Sequence, residues 1–162
     1  MSRLIILAAL LVGMACGERG PASARNSSQR LIGAWEVHLL LDEPLQLGSK
    51  PSATEVHGQI ALLANRWLGG VYPQMLSPTC YGVYDLDFSP FGFDPRNRGH
   101  VPLALAGTGA RDSVTVVLEP GPNQQSVVLR GVLAGDSVAG HWILEEFRGG
   151  ATGRFIMRRQ RS

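Results

Sequence analysis

The side chains with which this chain could bind a metal or catalyse a reaction are few. They are four histidines (His38, His57, His100 and His141), two cysteines (Cys16 and Cys80) and the aspartates Asp85, Asp87 and Asp94. Zinc chemistry needs three or four converging ligands, and no H-x-H, C-x-x-C or H-E-x-x-H spacing supplies them. His38, His57 and His141 fall on the polar parity of three different strands and are expected as isolated surface residues. His100 follows Asp94 and Arg98 in a long loop, the kind of segment that carries function. The three aspartates lack the spacing of a calcium loop. A G-x-S-x-G elbow, a P-loop and a dinucleotide glycine motif are all missing. The expectation is therefore a chain without catalytic residues, metal or cofactor, hence not an enzyme.

A second group could recognise rather than react. Trp67, Tyr72, Met75, Phe91 and Phe93 are large apolar side chains in Pro- and Gly-rich, loop-like segments, where solvated residues would be ordinary. As a lid over a barrel mouth they would line a pocket for a small hydrophobic ligand. The same residues would equally serve loops folded back to plug a core, or a partner-binding patch. All three readings stay open on sequence alone.

The elements that must position these residues are strands. From Arg111 to Arg159 the chain falls into about four short runs of alternating character, broken by Gly, Pro, Asn or Asp. Because a strand sends successive side chains to opposite faces, Val138, Gly140, Trp142 and Leu144 share one face and Ser137, Ala139 and His141 the other. Ala134-Gly135-Asp136 and Gly149-Gly150 read as hairpin connections. Upstream, Ile32–Leu41, Glu55–Leu63, Tyr81–Phe88 and Val101–Ala106 extend the pattern. Leu40-Leu41 breaks the alternation as a strand end or bulge would, and Trp67–Tyr72 is ambiguous. Including Ser113–Glu119, Ser126–Leu133, Ser137–Glu145 and Thr152–Arg158, about eight strands result. That predicts an all-β, eight-stranded antiparallel meander barrel, with a β-sandwich as the alternative. Glycines on the apolar parity (Gly33, Gly58, Gly131, Gly140, Gly153) favour the barrel, where a curved sheet needs room. The expected core contains Trp35, Val37, Ile60, Leu62, Val116, Leu118, Leu129, Val138, Trp142, Leu144, Phe155 and Met157.

At the start of the first strand, Gly33-Ala34-Trp35 resembles the G-x-W signature of the lipocalin and calycin group. The resemblance implies a barrel whose floor Trp packs under a basic residue from the end of the last strand, a role open to Arg158 or Arg159.

The first residues form a separate unit. Arg3 is followed by a nine-residue apolar run, Leu4 to Val12, too short for a permanent membrane span but fitting an export signal. Val12-Gly13-Met14-Ala15-Cys16 resembles the lipobox of bacterial lipoproteins, which implies lipidation of Cys16 after cleavage. Gly17 after the Cys then implies outer-membrane anchoring, facing the periplasm. Ordinary cleavage after Ala15 would instead give a secreted or periplasmic protein, and would leave Cys16 able to pair with Cys80 in an oxidising compartment. Gly17 to Arg30 has no large apolar residue and reads as a tether of roughly 20 Å. The chain divides into a signal peptide (1–15), a tether (16–30) and a barrel domain (31–160).

A formal net charge of +2 over 162 residues is too small to imply nucleic acid, and Lys50 is the only lysine. Two functions follow as expectations: an exported, membrane-anchored barrel that binds a small hydrophobic ligand, or a filled, non-catalytic barrel that works with another envelope component.

Overall fold

The computed structural model describes residues 29–44, 50–64, 80–93, 102–119, 126–145 and 150–161. Its eight strands are β1 (Gly33–Glu43), β2 (Glu55–Ala64), β3 (Cys80–Asp85), β4 (Leu103–Thr108), β5 (Ser113–Leu118), β6 (Ser126–Ala134), β7 (Ser137–Glu145) and β8 (Thr152–Arg159). Each pairs antiparallel with its neighbour in sequence, and β8 returns to β1, so the sheet is a closed up-and-down barrel. Closure leaves no unpaired edge, which a free meander would expose.

Every residue of the expected core is buried. The break at Leu40-Leu41 corresponds to a register shift between Leu41 and Glu43 against β8, a bulge that lets the strand bend as the barrel closes. Ala134 and Ser137 close the β6–β7 hairpin, with Gly135 at φ +59°, a left-handed conformation that glycine adopts without steric cost. The ladder of β3 ends at Asp85, three residues short of the expected Phe88. Leu86 and Phe88 nonetheless keep the inward parity and are buried. Asp87 turns the chain there by accepting a hydrogen bond from the Ser89 N–H at 2.9 Å, the local bond that makes Asp favourable in turns.

The inward glycines sit where neighbouring large side chains need the space. A Cβ on Gly58 would lie 2.7 Å from Leu86 Cδ2, one on Gly131 2.9 Å from Phe155 Cζ, and one on Gly153 2.5 Å from Trp142 Nε1. Interior volume is thus moved from one strand to the next rather than left open. An eight-stranded barrel is just wide enough to be filled in this way.

Alternating strand direction gives the barrel two ends. One, the floor, carries the starts of β1, β3, β5 and β7 and the ends of β2, β4, β6 and β8. The other, the mouth, carries the β1–β2, β3–β4, β5–β6 and β7–β8 connections.

Candidate functional site

The floor is closed by Trp35. Its ring is buried and its indole Nε1–H donates to the Leu31 carbonyl at 2.8 Å. Arg159, on the inward parity of β8 with Phe155 and Met157, holds its guanidinium 4.5 Å from the Trp35 ring centroid. It donates from Nη1 to the Ile32 carbonyl at 2.6 Å and from Nη2 to the Arg30 carbonyl. Of the two candidate arginines it is thus Arg159 that covers the Trp, while Arg158 faces outward opposite Glu36. Gly33 is required at this point: its φ is +131°, and a Cβ would lie 2.7 Å from Arg159 Nη1.

The mouth is closed by aromatic rings. Phe91 stacks on Trp142 with centroids 5.6 Å apart and planes 2° from parallel. Phe93 stacks on Phe88 at 5.5 Å, and Tyr84 meets Phe88 edge-on at 6.4 Å. Trp142 Nε1–H donates to the Leu40 carbonyl at 3.0 Å, reaching over Gly153 of β8 to β1, so the ring's polar atom is satisfied. Phe91 sits in a 3-10 turn, Ser89–Phe91. That turn is tied to the β1–β2 connection, since the Ser52 and Ala53 N–H groups both donate to the Pro90 carbonyl, at 2.8 and 3.2 Å.

Among the five candidate ligand-binding residues, Phe91 and Phe93 are therefore core side chains, 1% and 7% exposed. Trp67, Tyr72 and Met75 lie outside the described residues, as do Cys16, Asp94 and His100. Ala64 and Cys80, the strand ends that flank Trp67, Tyr72 and Met75 in the chain, lie at the floor, whereas Phe91 and Phe93 belong to the mouth. Sequence spacing concealed this, because successive connections of an up-and-down barrel alternate between its ends.

The outer wall has two distinct regions. On β4, β5 and β6, Leu105, Val117 and Val128 occupy the outward parity, beside the inward Ala104, Val116 and Leu129, and are buried all the same. Register places them in one row running Leu63–Tyr81–Leu105–Val117–Val128–Ile143. The ends of that row, Leu63, Tyr81 and Ile143, are exposed, as are the nearby Val83 and Val132. The sequence signal was present: Leu103–Ala106, Val116–Leu118 and Val127–Leu129 are apolar on both parities, the pattern of a strand buried on both faces.

On β8, β1 and the first part of β2 the outer wall is mostly polar, with Ile156 exposed among Glu36, His38, His57, Gln59, Arg154 and Arg158. Here His38 and His57 are directly opposed in the β1–β2 register. The expectation of isolated surface histidines fails for this pair: their rings stack at 4.1 Å with planes 12° apart. Opposed residues on one face of an antiparallel pair have neighbouring Cβ atoms whatever their distance in sequence. Glu55 Oε2 lies 3.1 Å from His38 Nε2 and 3.8 Å from His57 Nε2. Both histidines line a groove of about 470 Å³ together with Glu36, Val37, Gly58, Gln59, Ile156 and Arg158. His141 stands apart, in register with Arg130 and Arg154.

The described part is thus an eight-stranded, up-and-down antiparallel barrel with aromatic side chains closing both ends. Compared with known protein families, characterised proteins and solved structures, the chain matches none.

Proposed function

We propose that this chain is an exported, membrane-tethered barrel domain that acts through its outer wall on a protein of the cell envelope, without catalysis and without an interior ligand. The observation that carries this reading is the pairing of a plugged interior with exposed apolar side chains, Leu63, Tyr81, Val83, Val132 and Ile143, around the buried outward row of β4–β6. Phe88, Phe91, Phe93 and Trp142 take the mouth volume that a lipophilic ligand would need, and Trp35 with Arg159 takes the floor. Large apolar side chains left exposed together on the outside of a small barrel favour an interaction surface. Kinship with the lipocalin group is supported by Gly33, Trp35 and Arg159, whose arrangement is the one the G-x-W resemblance implies. Lipidation of Cys16, followed by the tether 17–30, would hold the wall near the outer membrane on its periplasmic side.

The test uses protein purified from the envelope of a bacterial host. Intact mass should show a diacylglycerol adduct on Cys16; an unmodified Cys16 would reduce the assignment to a secreted or periplasmic domain. Solvent extraction and Trp-fluorescence titration with fatty-acid-like probes should show neither a co-purifying lipid nor saturable quenching. Photo-crosslinkers at Val83, Val132 and Ile143 should give one discrete adduct that a crosslinker at Gln59 does not. Saturable probe binding with no adduct would replace this reading by the ligand-carrier one.

A further inference from the structure

We propose that His38, His57 and Glu55 form a binding site for a divalent transition-metal ion of the zinc class on the outer wall of the barrel. The inference rests on the β1–β2 register and not on a sequence motif. His38 and His57 face each other across the ladder, and Glu55, two residues before His57, shares their face. The ligating atoms of the three side chains lie within 4.8 Å of one another. Both Nε2 atoms already approach the same carboxylate oxygen, Glu55 Oε2, at 3.1 and 3.8 Å.

An ion bound tetrahedrally at about 2.0–2.1 Å from each nitrogen would separate the two Nε2 atoms by roughly 3.4 Å. Reaching that geometry needs the rings to tilt out of their parallel stack so that their in-plane lone pairs converge. Nothing buried opposes the tilt, because the His57 side chain is 70% exposed and that of His38 33%. The strands fix the Cβ positions and leave only side-chain torsions to adjust.

Two neutral imidazoles and one carboxylate give a ligand set of net charge −1. Imidazole donors select zinc, nickel or copper over calcium and magnesium, which prefer oxygen. The remaining coordination positions are left open to solvent, since the donor atoms that converge are those of His38, Glu55 and His57. Two cations stand nearby without contesting the site. Arg158 is the register partner of Glu36, and Arg154 is held 3.1 Å from Asp42. Three protein ligands with open positions describe an ion that can also accept a donor from a partner or a small molecule.

The experiment is isothermal titration of chelator-treated, tag-free protein with zinc and nickel chlorides near neutral pH, with thermal melts alongside. The expected result is one ion per chain with micromolar affinity and a metal-dependent rise in melting temperature. His38→Ala and His57→Ala should each weaken binding by more than the about 10- to 100-fold that loss of even an outer partner costs a metal site. Glu55→Gln should weaken it less, and His141→Ala should leave it unchanged. Because the three residues are at the surface, the metal-free melts of the variants should match the parent, which separates lost binding from lost folding. Binding that survives both histidine variants, or no binding below millimolar ion, would overturn the proposal.

Discussion

Replacing Arg159 by methionine keeps an unbranched apolar stem and removes the charge and the donors. Three contributions disappear. The hydrogen bond to the Ile32 carbonyl, at 2.6 Å and part-buried, comes from a charged donor and is worth about 1.5 kcal/mol, the low end for such bonds. The bond to the Arg30 carbonyl is exposed and adds about 0.5 kcal/mol, the low end for an ordinary hydrogen bond. The guanidinium 4.5 Å from the Trp35 ring centroid contributes about 1 kcal/mol. The ion pair with Asp136, at 3.4 Å with the Asp side chain 75% exposed, adds next to nothing. The sum is about 3 kcal/mol, a large share of the roughly 5–15 kcal/mol that holds a domain together. It should lower the melting temperature by about 10 °C for a barrel of this size. Urea unfolding followed by Trp fluorescence measures it, with the slope against urea unchanged if only stability has moved. Arg159→Lys should recover less than half, since an ammonium reproduces neither the forked donors nor the flat contact with the indole. A double-mutant cycle with Trp35→Leu should return a coupling of about 1 kcal/mol for the ring contact. An Arg159→Met loss under about 1 kcal/mol would refute the argument that this arginine clamps the floor to the residues preceding β1.

Gly153→Ala should destabilise far more than one methyl group ordinarily does. Its Cβ would lie 1.9 Å from the Leu40 carbonyl oxygen and 2.5 Å from Trp142 Nε1, displacing the indole from its bond to Leu40; overpacking of this kind costs about 1–3 kcal/mol, and near-UV circular dichroism should report the moved ring. Glu119 is buried at φ +52° and accepts the Leu103 N–H at 3.1 Å. Glu119→Ala keeps the strain and should cost about 2 kcal/mol for the orphaned donor, while Glu119→Gly should cost about 1 kcal/mol less, because glycine takes that φ freely. Equal losses by chemical denaturation would remove the conformational part of that argument.

Much of the barrel was legible along the chain because a strand's alternation is local. The inward parity of Trp35, Val37, Ile60, Leu62, Trp142, Phe155 and Met157 needs only a period of two and a hydrophobic effect to act on it. The sequence left the place above Trp35 open to Arg158 or Arg159; the structure gives it to Arg159, which continues the inward series of Phe155 and Met157. The doubled apolar faces of β4, β5 and β6 were written in the same way, as runs that do not alternate.

The rest belongs to register and closure, which no local pattern encodes. Whether Phe91 and Phe93 line a pocket or fill one depends on where the β3–β4 connection meets Trp142, a residue about fifty positions away in sequence and on the far side of the barrel. That Ala64 and Cys80 lie at the end of the barrel opposite Phe91 and Phe93 follows only once eight strands alternate around a closed ring. His38 and His57 are separated by a loop whose length fixes no pairing. They became neighbours because Val37 and Leu39 on β1 and Val56 and Ile60 on β2 are buried on the same inner face in the observed register, and a slip of β2 by one residue would turn Val56 and Ile60 outward. The sequence determined which face each side chain occupies; the tertiary structure decided which side chains meet there, because contact across a sheet is set by the alignment of whole strands and not by any residue's own neighbours in the chain.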